Sequence, residues 1–159
     1  MEILWSELTA GIPDRRELTI IIIRLLAATF LGAAIGYERE TAGKAAGLRT
    51  HILVTTGTTV FILGCIGAGM NAHSDAISRV IQGIVTGIGF VGAGSILKRE
   101  NEREIHGVTT SAGIWMAAAI GVTVGLGGLG LAVMATVLTL LVLRATIWFE
   151  SRAGKESDG

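Results

Sequence analysis

The sequence predicts an all-α membrane protein: a bundle of five transmembrane helices with the N-terminus outside and the C-terminus in the cytoplasm. Three observations predict it. Half of the 159 residues are apolar and only 16% are charged, with a mean hydropathy of +0.63, values that belong to a membrane chain. Long runs carry almost no ionisable residue, and most Lys and Arg residues gather in alternate gaps between those runs. The 23 glycines and single proline sharpen the class, because glycine lets neighbouring helices approach closely in lipid. A formal net charge of zero gives no sign of a nucleic-acid partner. Cys65, alone in an apolar run, has no partner for an internal disulfide and reads as a small packing residue.

Residues 1–17 form an outer-surface segment. Ile3, Leu4, Trp5, Leu8 and Ile12 suit a short amphipathic helix ended by Pro13, with disorder as the equal alternative. Arg15-Arg16 ahead of an apolar run imitates a secretion signal poorly, since that run is too long and Arg24 interrupts it. The membrane domain covers residues 18–149. Its first span, residues 18–37, holds Arg24 as its only charge and is roughly 30 Å long, about one hydrocarbon core. Residues 52–70 carry no charge and residues 80–97 carry Gln82 as a neutral amide before the loop begins, giving the second and third spans. Residues 108–143 contain nothing ionisable, too long for one crossing. The glycine cluster at residues 125–130 marks a tight turn that divides them into spans at 108–124 and 131–149.

Orientation follows from the basic residues, which favour the cytoplasmic side. Arg39, Lys44 and Arg49, then Lys98, Arg99 and Arg103, then Arg152 and Lys155 fall on one side. Arg15, Arg16 and Arg79 fall on the other. Residues 150–159 are therefore a cytoplasmic tail, and Tyr37 and Trp148 land at the inner interface, where aromatic residues concentrate.

Two G-x-G-x-x-G matches, at residues 87–92 and 125–130, lie within or between spans and lack the preceding strand of a dinucleotide site. No phosphate-cradling loop is spelled out, and no cofactor is indicated. Gly83, Gly87 and Gly94 share one helix face, as do Gly32 and Gly36, which suits helix packing within the bundle or across a homodimer. No Asp or Glu falls inside a predicted span, so neither a proton relay nor an oxygen-ligand Mg²⁺ site is legible, and the metal ligands, if there are any, are unassigned. Arg24 and Gln82 are the intramembrane polar residues. Arg24 either snorkels to the outer interface or pairs with a helix carbonyl or an acid such as Asp75. Asp75 and Arg79 suit an i, i+4 ion pair or a helix start. Thr109, Thr110 and Ser111 suit N-terminal capping, with an anion attracted to that helix N-terminus as the rival reading. His106 reads as solvated loop.

Four motifs in fixed order, Gly-Tyr-Glu-Arg (36–39), Ala-Gly-Leu-Arg-Thr (46–50), Gly-Ile-Gly-Phe-Val-Gly-Ala-Gly (87–94) and Gly-Val-Thr-Thr-Ser (107–111), resemble those of the MgtC/SapB family of bacterial inner-membrane proteins. Val108, Ser111 and Ser95 are mild departures. The resemblance covers nearly the whole chain and implies a multi-pass inner-membrane protein. It makes Glu38, Arg39, Arg49, Thr50, Asp75, Arg79, Thr109 and Thr110 the functional candidates, with Glu38, Arg39, Lys44 and Arg49 in a polar cytoplasmic loop. Many relatives carry a soluble ACT-like domain after the last span; this sequence has the character of a short form without it, and nothing that resides in that domain is carried over. The family is linked to growth at low Mg²⁺ and to survival inside host cells, and the resemblance implies a non-enzymatic regulator acting on another membrane protein such as ATP synthase. The alternative is a small transporter or channel for Mg²⁺ or another solute. No base, nucleophile and orienting group fall together as an enzyme requires.

Overall fold

A computed structural model describes residues 2–9, 15–70, 74–98 and 105–156. Helix α1 covers Glu2–Thr9, α2 Arg15–Thr41, α3 Leu48–Gly67 and α4 Asp75–Gly94. A two-residue antiparallel ladder, β1 (Leu97–Lys98) with β2 (Ile105–His106), precedes α5 (Val108–Gly125) and α6 (Leu129–Glu156). Ile3, Leu4 and Trp5 on α1 are exposed; Ile12 and Pro13 lie outside the described residues. Helices α2, α3, α4 and α5 are each long and apolar enough to cross a membrane, while α6 has an apolar stretch over Leu129–Ala145. The protein is thus a multi-pass helical membrane protein.

Helix α5 is the most enclosed of the four, and small side chains are the reason. Its buried positions include Gly113, Ala117, Ala118, Gly121 and Gly125, and against them α3 sets His51, Thr55, Thr58, Thr59 and Ile62, all buried. A β-carbon on Gly125 would sit 2.7 Å from the Ile62 side chain. Without a hydrophobic force between helices in lipid, dispersion at such close approach and hydrogen bonds across it hold the pair. Thr59 supplies one, its hydroxyl 2.8 Å from the Gly121 carbonyl. The other buried hydroxyls turn back on their own helix: Thr55 donates to His51 O at 2.7 Å and Thr58 to Val54 O at 2.9 Å, which removes the cost of burying them. Beside this seam Ala28, Ile35, Ile120, Val124, Ala132 and Leu143 join α2, α5 and α6 in an apolar core.

The glycine turn between α5 and α6 falls within two residues of its sequence-predicted place. Gly127 has φ +93, and its N–H reaches Val124 O while that of Gly128 reaches Thr123 O, each at 2.9 Å. This is the paired C-terminal closure in which the left-handed residue must be glycine to avoid strain. Arg24 completes the cap by donating from Nη1 to Gly125 O at 2.8 Å, so of the alternatives read from the sequence the helix carbonyl is the partner. A β-carbon at Gly127 would stand 2.5 Å from Arg24 Nη2. Gly127→Ala is therefore expected to cost about 1–2 kcal/mol from backbone handedness alone, read as a lowered melting temperature in detergent.

Candidate functional site

The four sequence motifs, the first two on either side of one turn and the other two much later in the chain, meet at one end of the bundle. A β-carbon on Gly36 of α2 would lie 2.7 Å from Leu48 Cα, so α2 and α3 are in near backbone contact there, and Gly32 likewise approaches His51 O and Thr55. Glu40 reaches across the turn to accept the Leu48 N–H at 2.8 Å, satisfying an orphan donor of the first turn of α3, where a carboxylate is also favoured by the helix dipole. Gly92 of α4 packs directly against Ser111 of α5, and Gly107 against Ser95 O.

Glu38 and Arg39 depart from the sequence reading. They are not on a polar loop surface: α2 continues to Thr41, and the two residues are 7% and 1% exposed. Arg39 grips Glu38 with two guanidinium nitrogens, Nε on Oε2 and Nη2 on Oε1. A buried carboxylate therefore does exist, one residue beyond the first predicted span, tolerated because a charge removed from water needs a paired, hydrogen-bonded partner. Lys44 and Arg49 remain exposed, and Thr50 is half-buried.

His51 closes the charged stretch that begins at Glu38 and is not among the functional candidates the sequence offers, yet it lies at the centre of this end. It is 0% exposed. Its Nδ1 bonds Gly47 O at 2.9 Å, which makes Nδ1 the protonated nitrogen and leaves Nε2 an acceptor. Among the described residues the buried Nε2 has no hydrogen-bond partner, and a β-carbon on Gly113 would come within 3.4 Å of it. The signal was the spacing of His51, Thr55, Thr58 and Thr59, a polar stripe on one helix face.

A family model described as the MgtC family matches residues 25–152. The chain belongs to the MgtC family. It is 45% identical over 127 residues to YhiD of Escherichia coli (strain K12), covering 77% of this chain and 58% of that protein. It is 41% identical over 129 residues to SrpB of Synechococcus elongatus, covering 76% and 71%. To MgtC of Salmonella typhimurium (strain LT2) it is 44% identical over 119 residues, covering 75% and 49%. The chain thus spans about half to three-fifths of the length of YhiD and MgtC. No solved structure matches it.

The remaining candidates taken from the MgtC family pattern are scattered. Thr109 is exposed and Thr110 buried, but neither they nor Ser111 cap α5: its N-cap is Gly107 at φ +94 with no side-chain bond, because Ser95 O presses where a side chain would stand. Asp75 opens α4 behind the N-cap Ser74, and it forms no ion pair with Arg79 among the described residues. They are roughly 25 Å and roughly 20 Å of helix, respectively, away from Gly92. Gln82 is exposed. A β-carbon on Gly83, Gly87 or Gly94 would meet no neighbour within 4 Å, so among the described residues nothing is packed closely on this glycine face. Gly83 and Gly87 instead edge a cleft of about 400 Å³ under Thr58 and Phe61. Beside Arg24 another cleft, of about 390 Å³, is walled by Glu17, Ile20, Leu63 and Ile66. Among the described residues no three His, Cys, Asp or Glu side chains come together as a metal cage.

Proposed function

We propose that this chain is a non-enzymatic regulator of the bacterial inner membrane that acts by binding another membrane protein, ATP synthase being the partner implied by the family. In this reading it crosses the bilayer five times, α6 included, with the N-terminus outside and the basic connections and tail in the cytoplasm. The observation that carries the reading is the closed seam between α3 and α5. Its buried threonines are satisfied by backbone carbonyls of the bundle itself, which suits a rigid scaffold presenting surfaces rather than a path for a hydrated ion. The buried Glu38–Arg39 pair is spent on itself in the same way.

The test is purification from mild detergent followed by ATP synthesis and hydrolysis measured in inverted vesicles with and without the protein. Co-purification of ATP synthase and a lowered rate are expected. A homogeneous preparation that alters no ATP synthase or transporter activity sinks the reading. Transport is the second reading, because YhiD of Escherichia coli (strain K12) is provisionally named a magnesium transporter and because α4 turns Gln82 and Thr86 outward. Mg²⁺ uptake into proteoliposomes holding this protein alone decides for it.

A further inference from the structure

Helix α4 exposes, beside Val85, Phe90 and Val91, a polar stripe that is unusual for a helix bathed in lipid. Its aliphatic side, Ile77 buried and Ile81, Ile84 and Ile88 half-buried, is turned into the protein toward α5. The opposite side carries Asp75, Arg79, Gln82, Thr86, Gly89 and Ala93, every one exposed. At 100° per residue these six fall within a stripe under a quarter of the helix circumference wide, and Gln82 lies about 10 Å along the helix from Asp75, well inside the length of a crossing. An amide, a hydroxyl and a bare glycine backbone are poor lipid contacts at that depth. The Thr86 hydroxyl is satisfied by Gln82 O, which leaves the Gln82 amide and the charges; among the described residues Asp75 and Arg79 have no ion-pair partner.

We propose that this face is the interface of a homodimer, α4 pairing with α4 of a second copy of the chain about a two-fold axis normal to the membrane. The argument is self-complementarity. Copies inserted with one orientation run their α4 helices parallel, so equal residues meet at equal depth and each contact occurs twice. Asp75 and Arg79, one turn apart and opposite in charge, are then placed for two reciprocal ion pairs, each long Arg79 side chain reaching diagonally by one turn to Asp75 of the partner subunit. Gln82 meets Gln82, and a primary amide has both the donors and the acceptor that such a meeting requires. Phe90, 83% exposed beside the gap left by Gly89 and Ala93, has the corresponding gap of the partner to fill, and small residues there let the backbones close. An unrelated partner has no reason to present the same order of acid, base and amide at the same depths. The dimer is independent of the regulatory reading, since a transporter is equally able to dimerise this way.

The experiment is disulfide cross-linking in native membranes, using the full chain with Cys65→Ala and single cysteines at Gln82→Cys or Thr86→Cys. Val91→Cys and Val60→Cys are controls, both positions being exposed but off the stripe. A band at twice the monomer mass for the first two, and its loss for the controls, is expected. Asp75→Arg and Arg79→Asp are each expected to lower the cross-linked fraction, and the double substitution to restore it. Equal cross-linking at Val91, cross-links from Gln82 to a different protein, no dimer at Gln82 and Thr86, or a double exchange that restores nothing overturns the proposal.

Discussion

Arg39→Ala is expected to destabilise the protein by about 3–5 kcal/mol, the cost of leaving a buried carboxylate without its counter-charge. Arg39 is 1% exposed and Glu38 7%, so the carboxylate orphaned by the substitution has little water to turn to. Arg39→Lys is no rescue, because an ammonium cannot reproduce the two-pronged grip of the guanidinium on both carboxylate oxygens. Joint replacement by Glu38→Met and Arg39→Met removes both charges and keeps the volume, and is expected to recover most of the loss, as buried pairs exchanged for apolar side chains commonly do. Melting temperature in detergent for the single and paired variants reads this directly. If Arg39→Ala melts like the parent, the pair is open to water and its burial is not what holds this end together.

That pair also shows where reading the chain runs out. Runs with almost no charge locate the long apolar helices because apolar content over a helix length is a local property, and the α5–α6 turn is legible for the same reason: glycine clustering is local too. Burial of Glu38 and Arg39 is not local. A sequence reader sees three charges in a row, Glu38 to Glu40, and ends the helix before them, whereas α2 runs on because two of the three find each other inside and Glu40 caps the next helix. Likewise Thr109 to Ser111 have the chemistry of a cap, yet Ser95 O at the C-terminal end of α4 decides that the capping position holds glycine. Glycine faces are equally ambiguous. Gly32 and Gly36 on α2 and Gly83 and Gly87 on α4 have the same spacing, but among the described residues only the first pair lies in close contact with another helix. Spacing says that a face is smooth and not what lies against it.

Gly121→Ala is the second large effect, about 3 kcal/mol or more of lost stability, at or beyond the usual range for overpacking. The added methyl would overlap Thr58 Oγ1 and the backbone carbonyl of Thr55, and the carbonyl has no rotamer by which to retreat. Helices α3 and α5 must separate instead, which lengthens the Thr59 bond to Gly121 O and opens the seam around Gly125 and Ile62. Gly64→Ala on α3 is the matched control, for nothing lies within 4 Å of its would-be β-carbon, and alanine is the better helix former by up to about 1 kcal/mol. Its melting temperature is expected to equal or exceed that of the parent. Adding Thr58→Ala to Gly121→Ala removes one of the two overlaps and leaves the backbone one, so recovery is expected to be partial. If Gly121→Ala and Gly64→Ala behave alike, α3 and α5 are not in backbone contact, and the closed seam on which the scaffold reading rests does not exist.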